Sequence, residues 1–132
     1  MVDLGVEWLG LTLRSPLVVG ASPLTDTAAS AHRLVEAGAG AVVLRSLFEE
    51  QIVADQLAAH RFFDAHVDMN AEARSFMADS DVFSVASTPT IDRLRALKDT
   101  LDVPVIGSLN GVTPGGWVHH ASELADAGAD AI

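Results

Sequence analysis

The sequence has no cysteine and only eight lysine or arginine residues among its 132, and each shortage excludes a class of function. Without cysteine the chain can form neither disulfides nor thiolate metal sites, a composition that suits a cytoplasmic protein. Eighteen aspartates and glutamates give a formal net charge of -10. Because an acidic chain repels phosphate backbones, we expect no binding to nucleic acid.

Signals for membranes and for secretion are also missing from the sequence. No apolar run approaches the roughly 20 residues of a membrane span, and no basic amphipathic stretch suits a membrane surface. The N-terminus "MVDLGVEWLG" has neither the basic region nor the apolar core of a signal peptide. We therefore expect no membrane association and a cytoplasmic location.

Short apolar runs, each followed by small or polar residues, alternate with segments of helical spacing. This pattern is typical of parallel strands that are buried on both faces and joined by helices. It predicts strands at 17–20, 41–45 and 104–109, with helices near 27–37, 89–100 and 114–127. The closing "DAI" would open a fourth strand. Alternation around Gly10 predicts an N-terminal hairpin in residues 1–15, pairing Val2–Trp8 with Leu11–Leu13.

A short repeat links helix to strand twice, as "EAGAGA" at 36–41 and "DAGADA" at 126–131. Ala-Gly-Ala turns the chain tightly and lets the helix pack close to the sheet, with Gly38 as a helix C-cap. Many βα folds use such a device, so the repeat predicts structure and not chemistry.

The βα pattern fits two architectures. A (β/α)₈ TIM barrel needs about 250 residues, so this chain would hold about three βα units and the start of a fourth strand. In that case it is the N-terminal part of a barrel, preceded by the hairpin, and residues 1–132 form a single partial domain. The alternative is a small doubly wound sheet of four strands. A hairpin that could plug a barrel and a long excursion at 49–88 favour the barrel.

Three places qualify as a functional site because they follow strands, where parallel α/β proteins bind ligands. They are "GASPLT" at 20–25, "RSLFEE" at 45–50 and "SLNGVTPGG" at 108–116. Arg45 offers a permanent planar cation, and Asn110 offers both a donor and an acceptor. Each place also has a plainer interpretation: "GAS" and Asn-Gly as turns, and Arg45 as a surface partner of Glu49 or Glu50.

Other motifs predict structure more than chemistry. Gly115-Gly116 could suggest a phosphate site, but no G-x-G-x-x-G or P-loop lysine accompanies it. A tight helix start is the better interpretation, with Thr113 as N-cap and Pro114 first in the helix. No metal site is expected: His119 and His120 are adjacent and leave a helix in different directions. The segment with His60, Asp64, His66 and Asp68 matches no ligand signature.

At these three places the chain resembles a known family. "SPLVVGASPLT", "GAGAVVLRSLFEEQI" and "PVIGSLNGVTPGGWV" are similar to the first three strands of the soluble, FMN-dependent dihydroorotate dehydrogenases, and more so to their dihydroorotate dehydrogenase-like branch. "DLGVEWLGLTLRSPLVV" resembles the family's hairpin into its first barrel strand. The resemblance covers the whole chain, least clearly in 52–88. It implies a (β/α)₈ barrel with FMN across its top and a homo-oligomer in complete form.

The resemblance also implies roles for individual residues. Ala21 and Ser22 would place backbone against the flavin, and Ser46 would hydrogen-bond it. Arg45 and Asn110 would contact both flavin and substrate, which is dihydroorotate or a similar small molecule. The family oxidises dihydroorotate to orotate in pyrimidine biosynthesis: a base takes a proton and hydride passes to the flavin. No catalytic residue is assigned within the chain, because the base is expected beyond Ile132.

One departure bears on the substrate. The family usually has lysine where this chain has Arg45, which keeps the charge but is larger, planar and unable to give up a proton.

Two alternatives stay open: another FMN barrel with a different substrate, and a non-catalytic half-barrel that pairs with a second chain. We expect the 132-residue chain alone to be inactive and to bind FMN weakly or not at all, because the phosphate-binding strands are missing from it.

Overall fold

A computed structural model describes residues 3–55, 57–58 and 88–132. The strands are β1 (Val6–Trp8), β2 (Leu11–Leu13), β3 (Val18–Val19), β4 (Ala41–Val43), β5 (Leu47–Phe48), β6 (Val105–Ile106) and β7 (Leu109–Asn110). The helices are α1 (Ala28–Glu36), α2 (Thr88–Thr100) and α3 (Pro114–Asp126), and residues 49–55 are also helical. Apart from residues 57–58 and Thr88, the rest of the predicted excursion lies outside the described residues. Each helix in the described ranges is too short or too polar to cross a bilayer.

The predicted N-terminal hairpin forms, but its first strand begins at Val6, since residues 3–5 are described and lie outside it. β1 and β2 pair antiparallel, with Val6 opposite Leu13 and Trp8 opposite Leu11. The two turn residues, Leu9 and Gly10, have φ values of 53° and 75°. Positive φ at both central positions is the two-residue turn whose twist matches that of the strands it joins. Val2, the predicted start of the hairpin, lies outside the described residues.

The predicted parallel sheet is confirmed. β3 pairs parallel with β4, and β4 pairs parallel with β6. A parallel bridge then joins Ile106 to Ala131, so the closing residues do begin a fourth strand. The order of these strands in space therefore follows their order along the chain.

The two faces of this sheet are covered by different elements. Leu44 and Val105 pack with residues of all three helices, Ala31 of α1, Leu94 of α2 and Leu124 of α3. These five residues are almost fully buried. Since they form one cluster, the three helices lie on the same face of the sheet.

The hairpin covers part of the opposite face. Leu13 of β2 packs against Ala41 and Ile106, each a neighbour in sequence of a residue that faces the helices. The alternation of side chains along a strand explains this division. The sheet thus has a helical layer on one face and the hairpin against the other.

The repeated helix-to-strand segment has the same structure in both copies. Gly38 and Gly128 follow α1 and α3 with φ values of 110° and 98°. The Gly38 N–H donates to the Val35 carbonyl at 3.0 Å, and the Gly128 N–H donates to the Ala125 carbonyl at 2.9 Å. Glycine adopts this left-handed conformation at little cost, which is why it ends so many helices. The predicted turn device is therefore confirmed.

Candidate functional site

A β-bulge interrupts the second strand at the position of Arg45. Val43 is opposite Ile106, but Leu47 is opposite Leu109, so residues 44–46 face only residues 107–108. The ladder resumes with the Leu47 N–H donating to the Ser108 carbonyl at 2.8 Å. The sequence predicts one strand at 41–45, whereas the structure has a strand at 41–43, three bulge residues at 44–46 and a second strand at 47–48. Bulges of this kind redirect side chains and are frequent beside functional sites.

Arg45 contacts the loop that follows the first parallel strand. Its Nη1 lies 3.1 Å from Oδ2 of Asp26, and Arg93 of α2 approaches Oδ1 of the same carboxylate at 3.7 Å. About half of the Arg45 side chain stays exposed, while Asp26 is mostly buried. Because Asp26 directly follows the first predicted place, the ion pair links that loop to the second place. Asp26, which sequence reasoning missed, is thus the partner of Arg45, and Glu49 is bound elsewhere.

Ser46 links the second place to the third. Its Oγ lies 2.7 Å from Oγ of Ser108, a residue 62 positions away in the chain. Beyond this contact, Phe48 and Asn110 are register partners in β5 and β7, and both are exposed. Side chains opposite each other on parallel strands lie on the same face, so Asn110 stands beside an exposed aromatic ring.

Ala21 and Ser22 lie in the first place. Ser22 caps a single 3₁₀ turn, Pro23–Thr25, because its Oγ accepts a hydrogen bond from the Leu24 N–H at 3.3 Å. Ala21 is exposed. The turn leads into Asp26, so Ser22 has the turn role that its plainer interpretation predicted. The hydrogen bond of the Ser22 hydroxyl is local. The partner described for Asn110 is Phe48, and not Ala21 or Ser22.

Glu49 ties the second place to the third by a further contact. Its carboxylate is buried and accepts hydrogen bonds from the Thr113 hydroxyl, the Thr113 N–H at 2.9 Å and the Val112 N–H. Thr113 is the N-cap of α3 and Pro114 its first residue, as predicted. A carboxylate is favourable at this positive end of a helix. The hydrogen bonds from Thr113 and Val112 hold the pKa of Glu49 below its usual range.

This contact also explains Gly116. A β-carbon at position 116 would collide with the Glu49 carboxylate, so a larger residue there would displace that carboxylate. The Gly116 N–H donates to the Thr113 hydroxyl at 3.1 Å, which completes the cap. The start of α3 therefore already holds a protein carboxylate, and the tight helix start is the interpretation of Gly115-Gly116 that the structure supports.

Replacing Glu49 by glutamine is expected to destabilise the fold and to weaken its dependence on acid pH. A carboxyl whose folded pKa lies below its unfolded value stabilises the fold fully above the unfolded pKa, near 4.5. That stabilisation is lost as the pH falls through the folded pKa. Urea unfolding between about pH 3 and 7 measures it. Glu50→Gln, at the exposed neighbour, is the control; equal acid limbs in wild type and Glu49→Gln would contradict the prediction.

Side-chain contacts thus connect all three predicted places along the carboxyl edge of the parallel strands. A cavity of about 400 Å³ opens between the second place and α2, lined in part by Arg45, Ser46, Gln51 and Arg93. The edge offers hydroxyls, an amide and a half-exposed guanidinium, a donor set suited to a polar or anionic small molecule. Asp26, Ser108 and Glu49 were missed from the sequence because their partners lie far away along the chain.

Comparison of the sequence with models of known protein families gives no match. Comparison with curated proteins gives none either.

Proposed function

We propose that this chain forms the first part of an FMN-dependent (β/α)₈ oxidoreductase of the dihydroorotate dehydrogenase type, acting in the cytoplasm. The observation that carries the proposal is the polar edge. Asp26, Arg45, Ser46 and Ser108 connect the loops that follow three parallel strands. That edge is where barrel enzymes place their active sites.

The order of the strands supports a barrel over a doubly wound sheet. Parallel strands that follow one another in space as in sequence, with right-handed crossovers, carry all their helices on one face. A doubly wound sheet reverses its strand order and carries helices on both faces. Here α1, α2 and α3 share one cluster on one face, and the hairpin covers the other. Among the described residues the sheet has open edges at β3 and at Ala131, where further strands of a barrel would pair.

The residues at this edge fit the polar side of a flavin. The isoalloxazine ring carries donors and acceptors along one edge, which hydroxyls and amides can match. Ser46 and Asn110 supply such groups from neighbouring strands, and the exposed Ala21 lets backbone approach a flat ligand. A β-carbon added at Gly20 would meet open space, so the first loop leaves room beside it.

Arg45 and Asn110 are the residues that we assign to the substrate. A guanidinium binds a carboxylate through paired hydrogen bonds, and Asn110 can both donate and accept. When bound, FMN supplies the hydride acceptor that oxidation of a dihydropyrimidine requires. The chain's own contribution is to orient the substrate and to hold positive charge, set by the Asp26 pair, where negative charge develops. The base that removes the proton is expected outside residues 1–132.

The test is a protein expressed from the complete reading frame in which this sequence occurs. We expect it to purify with the visible absorption of oxidised flavin and to release FMN on denaturation. Dihydroorotate added without oxygen should bleach that absorption. A colourless protein that does not take up FMN would reject the proposal. A flavoprotein that dihydroorotate leaves unbleached would keep the flavin barrel and reject the substrate. In parallel, we expect FMN titration of the 132-residue chain alone to show weak or no binding.

A further inference from the structure

Two histidines and a glutamate, none of them assigned to flavin or substrate, meet on one turn of α3. Nδ1 of His120 lies 2.8 Å from Oε2 of Glu123, and Nε2 of His119 lies 3.7 Å from Oε1 of the same carboxylate. Adjacent residues leave a helix about 100° apart, which is why the sequence predicted that the histidines diverge. They converge because each is three or four residues from Glu123, the spacings at which helical side chains meet.

We propose that His119, His120 and Glu123 bind a divalent transition-metal ion, of the Zn²⁺, Ni²⁺ or Cu²⁺ class. One ligand atom from each residue lies within 4.8 Å of the other two. Bonds of about 2.0–2.1 Å to zinc separate neighbouring ligand atoms by about 3–3.5 Å. Small side-chain rotations therefore bring the three atoms onto one ion, without any change of the helix.

The chemistry of the donor set selects the class of metal. Two imidazole nitrogens and one carboxylate oxygen suit zinc, copper and nickel, whereas calcium and magnesium prefer oxygen ligands alone. Three protein ligands leave at least one position for water. Because His119 is two-thirds exposed, that position faces solvent and an ion can enter without opening the fold.

The surroundings of the cluster favour a cation and fix one ligand in place. The His120 side chain is about nine-tenths buried, so its orientation is set by packing. Glu49 lies close enough to His120 for their charges to interact. The chain as a whole carries a net charge of -10. A dication at this point meets negative charge from Glu123 and Glu49, and this attraction offsets part of the cost of its dehydration.

A zinc titration of the 132-residue chain, prepared without a histidine tag and read against a competing chromophoric chelator, tests the proposal. We expect one ion per chain in the wild type. His119→Ala and Glu123→Gln should each weaken binding by more than about tenfold, since even outer-shell partners of metal sites are worth about 10–100-fold. His119 is exposed, so its removal leaves the fold intact, and its loss of affinity is interpretable where that of a His120 variant is not.

The chain offers a matched control in α1. His32 and Glu36 form the same kind of pair, with Nδ1 3.6 Å from Oε2, but no second histidine joins them among the described residues. His32→Ala should therefore bind zinc as the wild type does. His60→Ala/His66→Ala tests the remaining histidines. If zinc does not bind the wild type, or if His119→Ala and Glu123→Gln bind as tightly as it does, the site is not a metal site. If the His60→Ala/His66→Ala variant loses zinc affinity and the α3 variants do not, the proposal is also wrong.

Discussion

Replacing Arg45 by alanine in the flavin-loaded protein is expected to slow reduction of the flavin by about 10²–10³-fold, the range for losing one preorganised electrostatic group. The expectation rests on the proposed function. A cation beside the pyrimidine edge stabilises the anionic reduced flavin, so its removal should also lower the reduction potential. Rapid-mixing reduction by substrate and a dye-equilibrated potential measurement give the two quantities.

The Asp26 ion pair sharpens this test. Asp26 lies 3.1 Å from Arg45 and neutralises part of its charge. Asp26→Asn should therefore shift the potential upward, opposite to Arg45→Ala, while keeping a side chain of the same size. Arg45→Lys should change the flavin potential less than Arg45→Ala, because the charge stays. With dihydroorotate as substrate, Arg45→Lys should raise activity.

A suitable control is Arg95→Ala. Arg95 is an exposed arginine that also pairs with an aspartate, Asp92, at 3.7 Å. It belongs to α2 and so shares charge and pairing with Arg45 without lying at the end of a strand. We expect the Arg95→Ala protein to have the same flavin potential as the wild type. A folded Arg45→Ala protein with the wild-type potential would mean that Arg45 serves only to hold Asp26.

The elements of this fold could be predicted from the sequence because each has a local signal. Apolar runs marked the parallel strands, period-two alternation marked the hairpin, and Thr113-Pro114 marked the start of α3. The bulge at 44–46 had no such signal. One extra residue in an apolar run leaves the run apolar, and the shift shows only against the register of the neighbouring strand.

In the candidate site, too, features with a local signal in the sequence could be predicted and features without one could not. Arg45 and Asn110 could be chosen because they follow strands, a position that topology makes functional, and Ser46 was chosen through the family resemblance. The contacts between the loops could not be predicted, since Ser46 contacts Ser108 across 62 residues and Glu49 contacts Thr113 across 64. Contacts of that separation depend on how loops fold over the sheet. The convergence of His119 and His120 was missed for another reason. Adjacent residues diverge on a helix, but both of these side chains turn towards Glu123.

Gly40→Ala is expected to be among the most destabilising single-methyl changes in the described part of the chain. A β-carbon at position 40 would overlap the backbone of Ser15, where the chain leaves the hairpin and enters β3. The Gly40 N–H also donates to the Leu17 carbonyl at 2.7 Å, so neither backbone can move without losing a hydrogen bond. Overpacking typically costs about 1–3 kcal/mol, and we expect the upper end because the obstacle is backbone.

Two other glycines make this prediction specific. Gly38→Ala forces alanine into a positive φ of 110° but meets open space, so backbone strain of about 1–2 kcal/mol is its whole expected cost. Gly20→Ala meets neither obstacle and should be nearly neutral. Urea unfolding of the three variants should therefore rank Gly40→Ala as least stable, then Gly38→Ala, then Gly20→Ala. Because the obstacle is the Ser15 backbone, a stable Gly40→Ala protein would show that the segment between the hairpin and β3 does not lie against Gly40. That segment leads from the hairpin, whose Leu13 covers the face of the sheet opposite the helices, so the distinction from a doubly wound sheet would then lose support.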